Sequence, residues 1–383
     1  MPLRRRIDRV LIYLRRHGLA ATVGEIAARV GRRATAGDLP ASVHLEVSNC
    51  CNLRCEYCVL DENAQGDKIM SEQTFKAALP ALAHARRIDL SGLAEPLMHK
   101  RFTAMLAEVR RVAPDAHIAM CTNATLLTPE ISEQLIDNRL DELVFSLDGV
   151  DPRQVDEVRK GGSLDTVLRN IDALRRAKEA RGATKPSVSA TVVLQKDNVG
   201  QLPGIVRLAA ELGCDGVSVN GLEPYGSELV GHVIWVDPTA VPWLTEALAE
   251  ADAAAREVGI ELRLPAMRPQ APLCPQAARP MILADGTVVP CSVLAYERRA
   301  LLGVGDDRRV EALDGTTGAL RFGNVKDGGL EAVWRSPAYR EFRRAVARGD
   351  FPETCATCLM KHGMICATPP LSASESAATV RRP

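Results

Sequence analysis

The amino-acid sequence predicts an α/β fold: a parallel sheet built from βα units, followed by a smaller cysteine-bearing module. Two observations lead there. Between Val43 and Leu222, six short apolar runs of strand length alternate with longer stretches of helical periodicity, the rhythm of parallel strands joined by crossover helices. After Pro224 that rhythm breaks, giving way to turn punctuation and clustered cysteines. Periodicity alone leaves two architectures open, an open barrel and a doubly wound sheet.

Taken in order, Leu3 to Arg33 reads as two short helices. The first carries Ile7, Val10, Leu11 and Leu14 on one face and arginines on the other, which suits packing against the main domain or contact with a membrane or partner. Strand-like runs follow at His44–Val47, Ile88–Ser91, His117–Cys121, Leu143–Leu147, Val188–Leu194 and Gly216–Val219. The intervening helices are expected at Ser71–His84, Phe102–Val112, Pro129–Asn138, Leu164–Arg181 and Leu202–Leu212. Thr128-Pro129 is a helix start, with a capping hydroxyl before a proline that lacks the N–H a first turn leaves unpaired. Further helices are expected at Trp243–Val258 and Leu330–Arg348, with a turn at Asp285-Gly286 between them. The tail from Ala367 to Pro383, rich in Ser, Ala and Pro, reads as disordered. The organisation is then an N-terminal helical segment (1–40), the βα domain (41–224), a linker helix with the cysteine module (225–366) and a tail (367–383).

Composition narrows the function classes. In 383 residues, 46% apolar and 25% charged residues are the balance of a globular enzyme. The 48 basic and 48 acidic residues cancel, so no net field draws the chain to nucleic acid. No apolar run approaches the roughly 20 residues that cross a bilayer, and a secretory signal pattern is absent, so a cytoplasmic protein without a membrane span is expected. In that reducing setting eleven cysteines point to metal or redox chemistry rather than disulfides.

The first cysteine group, in Ser48-Asn49-Cys50-Cys51-Asn52-Leu53-Arg54-Cys55-Glu56-Tyr57-Cys58, directly follows the first strand and so falls on a βα loop, where barrel enzymes build their sites. Cys51, Cys55 and Cys58 can hold three irons of a [4Fe–4S] cube and leave one iron open. A stripe of buried thiols and a three-ligand zinc site are the competing readings. Cys50 is surplus to the spacing and is expected to face the core.

Cys51-x3-Cys55-x2-Cys58, with Tyr57 before the last cysteine, resembles the signature of the radical S-adenosylmethionine (SAM) superfamily. The resemblance implies a partial (β/α)6 TIM-like barrel, with SAM chelating the open iron and Tyr57 lying beside its adenine. Three later loops add to it. Ser91-Gly92-Leu93-Ala94-Glu95-Pro96 is similar to the family's Gly-Gly-Glu-Pro motif, which assigns Gly92 and Glu95 to the SAM ammonium end. Asn123, after the third strand, and Ser146 and Asp148, after the fourth, resemble the segments along the ribose and methionine carboxylate. Leu93, Ala94 and Ala124 stand where the family carries glycine. Arg159 and Lys160 are candidates to pair with the SAM carboxylate, or form a solvated charge pair. Cys121 shares strand parity with Asn123, so it is a candidate catalytic thiol facing the barrel, or a small core residue.

Cys274 and Cys291 flank the Asp285-Gly286 turn, and Cys355-x2-Cys358 follows the last helix. On spacing alone a zinc ribbon is open. With Gly323-Asn324 and Trp334, the pattern resembles the SPASM or twitch extension of radical SAM enzymes, which implies one auxiliary [4Fe–4S] cluster on Cys274, Cys291, Cys355 and Cys358, with Cys366 unassigned. The resemblance further implies an enzyme that cleaves SAM to a 5′-deoxyadenosyl radical, abstracts hydrogen from a substrate carbon, and takes electrons from a donor such as flavodoxin or ferredoxin. An auxiliary cluster suits net oxidation. The substrate is expected to be a small polar molecule of sugar or aminocyclitol type, because the 40 residues before the barrel cannot hold a full leader-binding domain. Maturation of a ribosomal peptide or sulfatase-type protein is the alternative, and a non-catalytic iron–sulfur or zinc protein a third. Asn220, Glu223 and Tyr225 are further candidates for substrate contact.

Overall fold

The computed structural model describes residues 39–365 apart from 59–67, 225, 235–240, 267–268, 270–271, 273, 275, 297, 305–309 and 318. The expected helices at Leu3–Arg33, Tyr225, Cys366 and the tail lie outside the described residues.

Seven parallel strands run side by side in chain order: β1 (Ser42–Leu45), β2 (Arg87–Asp89), β3 (His117–Thr122), β4 (Glu142–Ser146), β5 (Ser187–Leu194), β6 (Gly216–Gly221) and β7 (Glu261–Arg263). They are joined by α1 (Glu72–Leu82), α2 (Phe102–Val112), α3 (Pro129–Asp137), the pair α4 (Pro152–Val158) and α5 (Leu164–Arg181), α6 (Leu202–Glu211) and α7 (Val241–Val258). The six expected strands are all present, and most boundaries shift by a residue or two. The α/β barrel-type sheet extends beyond six units, because α7 leads into β7 on the far edge.

The C-terminal segment continues the same sheet. Met281–Ile282 (β8) pairs parallel with β1, Thr287–Val289 (β9) antiparallel with β8, and Gly323–Asn324, a two-residue strand, antiparallel with β9. The cysteine module is therefore hydrogen-bonded to the barrel's first strand rather than set apart from it. A hairpin of Arg298–Val304 and Val310–Thr317 forms its own two-stranded sheet. The helix expected at Leu330–Arg348 is two helices, α8 (Gly329–Arg335) and α9 (Pro337–Arg348). Pro337 cannot donate to the preceding turn, and Ser336 caps the new start by accepting from the Tyr339 N–H.

Strand alternation sorts the side chains. Val43, Leu45, Ile88, Ile118, Met120, Leu143, Phe145, Ala190, Val192 and Val219 are essentially inaccessible and lie under the helices, which contribute Phe75, Leu82, Leu106, Leu135, Ile171 and Ile205. Each large apolar side chain so buried stabilises the fold by about 1.5–3 kcal/mol. The opposite parity lines the barrel interior with half-buried, largely polar groups, including Cys121, Ser146, Ser189, Thr191 and Asn220. At the N-terminal end of the strands Glu142 accepts from Arg87 and His117, each at 2.9 Å, which closes that end with an ion-pair network.

Candidate active site

Because β1 to β4 are parallel neighbours, the loops after them emerge at one end of the sheet, and this is where the predicted residues meet. The cysteine loop is pinned by a two-residue antiparallel ladder in which Cys55 pairs with Arg159 and Arg54 with Lys160. Helix α4 makes that ladder possible: Asp151 caps its start and Pro152 occupies the first turn, and the chain leaves it directly into Arg159. Cys51, Cys55 and Cys58 lie within electrostatic reach of one another, half-buried to exposed. Burial pushes the Cys55 thiol up to about 11. Cys51 sulfur accepts from the Leu53 N–H at 3.4 Å and faces the Asn123 amide at 3.9 Å. Cys50 is buried, as its surplus place in the spacing suggested.

Glu95 is the knot of the rim. It is 2% exposed and accepts from Leu97 N–H (3.0 Å), the Thr122 hydroxyl (2.8 Å) and Asn123 N–H (2.7 Å), while its own N–H donates to the Cys50 carbonyl at 3.2 Å. Three loops thereby meet at one residue, two of them on its carboxylate, whose raised pKa comes from burial first. Asn123 holds Asn52 (3.0 Å) and Thr125, which in turn holds the Asn52 amide at 2.8 Å. Ala124, where a glycine was expected, adopts φ 60° and is fully buried. That left-handed backbone is costly for a residue with a Cβ. It is held by the Ala124 N–H on Thr122 Oγ1 and by Asn170 on the Ala124 carbonyl.

Asp148 is the second knot. It accepts from the Tyr57 hydroxyl, from Arg159 Nε at 2.6 Å and from Val193 N–H at 2.7 Å. Arg159 therefore pairs with Asp148, within the protein, where the sequence had suggested the SAM carboxylate. The guanidinium also lies 5.9 Å from the Tyr57 ring centroid. Lys160 pairs with Glu56 in the open, at 2.8 Å. Ser146, half-buried at the end of β4, sits beside Thr191 in the ladder. Cys121 is on the inner face as its parity implied, and burial raises its thiol to about 12, so it is protonated at neutral pH. Asn220 donates to the Thr191 hydroxyl at 3.0 Å.

Gly92 has a different reason for being glycine than a bound ligand. A Cβ there would meet Glu46 Cγ at 2.5 Å. Glu46, just past β1, is fully buried and was missed in the sequence, although an acidic residue inside the apolar run His44–Val47 was a signal for it. Its carboxylate accepts from the Tyr296 hydroxyl (3.0 and 2.9 Å), from Ala284 N–H (3.2 Å) and from Leu93 N–H. It so ties the second rim loop to the C-terminal segment, and burial raises its pKa to about 7.

In the C-terminal segment Cys274, Cys291, Cys355 and Cys358 line one cavity, along with Lys361, Phe342 and Phe351. The Asp285-Gly286 turn requires glycine: φ is 91° and a Cβ would lie 2.6 Å from Asn324 Oδ1. Gly323-Asn324 braces the β8–β9 hairpin that delivers Cys291 through its ladder with β9 and the Asn324 amide, which donates to the Asp285 carbonyl at 3.1 Å. Backbone N–H groups donate to the sulfurs: Gln276 and Ala277 to Cys274, Leu294 to Cys291 and Lys361 to Cys358. All four thiols are pushed up by burial, Cys358 to about 12. N–H groups aimed at sulfurs stabilise thiolate, the ligand form, so this donor set fits an iron–sulfur centre.

Known protein families match both segments of the chain. A family model for the radical SAM superfamily matches residues 45–209, and the SPASM model, an iron-sulfur cluster-binding domain, matches residues 274–359. The chain is 30% identical to the tungsten-containing aldehyde ferredoxin oxidoreductase cofactor-modifying protein of Pyrococcus furiosus, over 83% of this chain and 87% of that protein. It is 26% identical to the mycofactocin maturase MftC of Mycolicibacterium smegmatis (84% and 76%) and to the PqqA peptide cyclase of Rhodopseudomonas palustris (84% and 80%). Among solved structures, anSMEcpe with bound AdoMet superposes with TM-score 0.61 at 16% identity, over 85% of this chain and 89% of that one. SuiB of Streptococcus suis bound to S-adenosylmethionine does so with 0.59 at 16%, over 90% and 77%. The chain belongs to the radical SAM superfamily, as an enzyme with a SAM-binding [4Fe–4S] cluster and a C-terminal SPASM domain for auxiliary iron–sulfur chemistry.

Proposed function

We propose that this enzyme is a maturase that oxidatively modifies a peptide. The observation that carries the reading is similarity along most of the chain to a maturase and to a peptide cyclase, across barrel and SPASM segment alike. The small polar substrate expected from the short N-terminal segment gives way to it. When bound, the rim cluster and SAM supply a 5′-deoxyadenosyl radical that takes hydrogen from a substrate carbon.

The chain's own part is ligation, orientation and exclusion of water. Cys51, Cys55 and Cys58 would hold three irons, and the Leu53 N–H and Asn123 amide donate to Cys51. Tyr57, Gly92, Glu95, Asn123, Ser146 and Asp148 would surround SAM. Glu95 and Asp148 already spend their oxygens on neighbouring loops, so their first task is to keep the rim rigid before SAM arrives. Cys274, Cys291, Cys355 and Cys358 would hold the auxiliary cluster, the outlet for an electron lost by substrate. Cys121, a protonated thiol on the inner wall, would serve as a hydrogen donor only in a redox-neutral reaction, one in which no electron leaves through the auxiliary centre. A flavodoxin- or ferredoxin-type donor would reduce the rim cluster.

A second reading rests on the 30% identity to a cofactor-modifying protein, which favours a non-peptide precursor. One experiment separates the two. The reconstituted enzyme is given SAM, dithionite and the peptide encoded beside its gene, and the peptide is followed by mass spectrometry. Loss of hydrogen from the peptide with matching 5′-deoxyadenosine supports the maturase. An unchanged peptide alongside a modified small molecule from the same locus overturns it.

A further inference from the structure

Two groups beside the four SPASM cysteines, the half-buried Lys361 and the fully buried Tyr339, are unused by ligation. Lys361 lines the cavity; its ammonium donates to the carbonyls of Cys355 (2.6 Å) and Ala356 (2.8 Å), and it acts electrostatically on Cys358, Cys355 and Cys274. The second is Tyr339 on α9. Its side chain is wholly inaccessible and its hydroxyl has no hydrogen-bond partner among the described residues, which is an expensive condition for a buried donor. The charged or ionisable groups acting on that hydroxyl are Arg343, Cys291 and Cys274. The ring is immobilised between Phe322, stacked at 4.1 Å, and Trp334, edge-on at 5.1 Å, so the hydroxyl cannot swing out to water.

We infer that Lys361 and Tyr339 set the redox poise of the auxiliary centre, the ammonium as a positive charge on the wall of the four-cysteine cavity and the hydroxyl as a buried dipole next to that cavity. Adding an electron to a thiolate-ligated cluster makes it more negative inside an apolar cavity. A cation on the cavity wall and a buried dipole beside it favour that reduced state. Glu223, beyond β6, opposes them at Cys358, whereas Lys361 reaches Cys358, Cys355 and Cys274. The centre is thus built to accept an electron, as an outlet for substrate oxidation requires. Lys361 and Tyr339 are positioning residues and touch no substrate.

The inference rests on the four cysteines holding a cluster, and the test keeps the two questions apart. In a C51A/C55A/C58A background only the auxiliary cluster remains. Iron and sulfide are counted, and the midpoint potential is taken by dithionite titration with electron paramagnetic resonance detection. Lys361→Met should favour the oxidised form at least tenfold, a fall of about 59 mV for one electron. Tyr339→Phe should give a smaller fall, and Lys361→Arg should stay near the parent. A parent without about four irons per chain refutes the ligand assignment, and this inference with it. Full iron content with both Lys361→Met and Tyr339→Phe at the parental potential refutes the inference alone. Should Lys361→Met lose iron, Tyr339→Phe, which keeps the ring, decides.

Discussion

The two cysteine sites solve opposite problems with the same side chain. At the barrel rim three thiols sit on a loop, Cys58 exposed, beside carboxylates and amides already satisfied by the protein. In the SPASM segment four thiols line one cavity, receive backbone N–H groups and lie among Phe342, Phe351 and Lys361. With a cluster bound, the first site would leave one iron open among polar groups; the second would offer four ligands from an apolar cavity wall. The difference separates a place where a molecule must bind and react from one through which only an electron needs to pass.

The largest expected effect comes from breaking one site at a time. Replacing Cys51, Cys55 and Cys58 with Ala should remove about four irons per chain and abolish 5′-deoxyadenosine formation. Cys274→Ala with Cys291→Ala should remove the other four yet leave SAM cleavage, now uncoupled from product. If both sets of variants lose SAM cleavage equally, the division of labour is wrong. Next is Asp148→Asn, which leaves the buried Arg159 without its carboxylate. A loss of about 3–5 kcal/mol in denaturant unfolding is expected, with slower SAM cleavage, and the auxiliary iron should be retained.

A subtler effect concerns the seam between the two sites. Glu46 has its folded pKa raised to about 7 by burial, above the unfolded value of 4.5. The native state therefore holds a proton that the unfolded chain releases. The stability linked to it is full below about pH 4.5 and is lost as pH rises through about 7, by about 3 kcal/mol in all. Glu46→Gln should flatten that slope in melting curves between about pH 5 and pH 8, whereas an undiminished slope would assign the linkage elsewhere. The smallest effect is expected at Ala124. Glycine there relieves a left-handed alanine, so Ala124→Gly should raise the unfolding free energy by about 1 kcal/mol without altering iron content.

Much of this was legible because the signals were periodic or clustered. Alternation marked six of the seven parallel strands, and the three-cysteine spacing marked the rim. Other elements carried weaker signals. Helix α4 is about two turns long, too short for periodicity, and only the Asp151-Pro152 cap could have betrayed it. The hairpin at 298–317 pairs only with itself, and Leu302 packs with Leu222, Leu359 and Tyr57, contacts far apart in sequence. Arg159 was noticed for its charge, but its partner could not be read, because Asp148 meets it only once α4 has folded the chain back. Lys361 and Tyr339 looked like ordinary helix and loop residues, since burial beside thiols has no signature in one sequence.

The contact between Gly92 and Glu46 reaches into how this site can diversify. Because Gly92 presses against Glu46, and Glu46 is gripped by Tyr296 and Ala284, a side chain at 92 can appear only if position 46 shrinks first, which would release the SPASM segment from the SAM loop. Residues 46, 92 and 296 are therefore expected to be inherited as a set, and a graft of this SPASM segment onto another radical SAM barrel should take only where all three travel together.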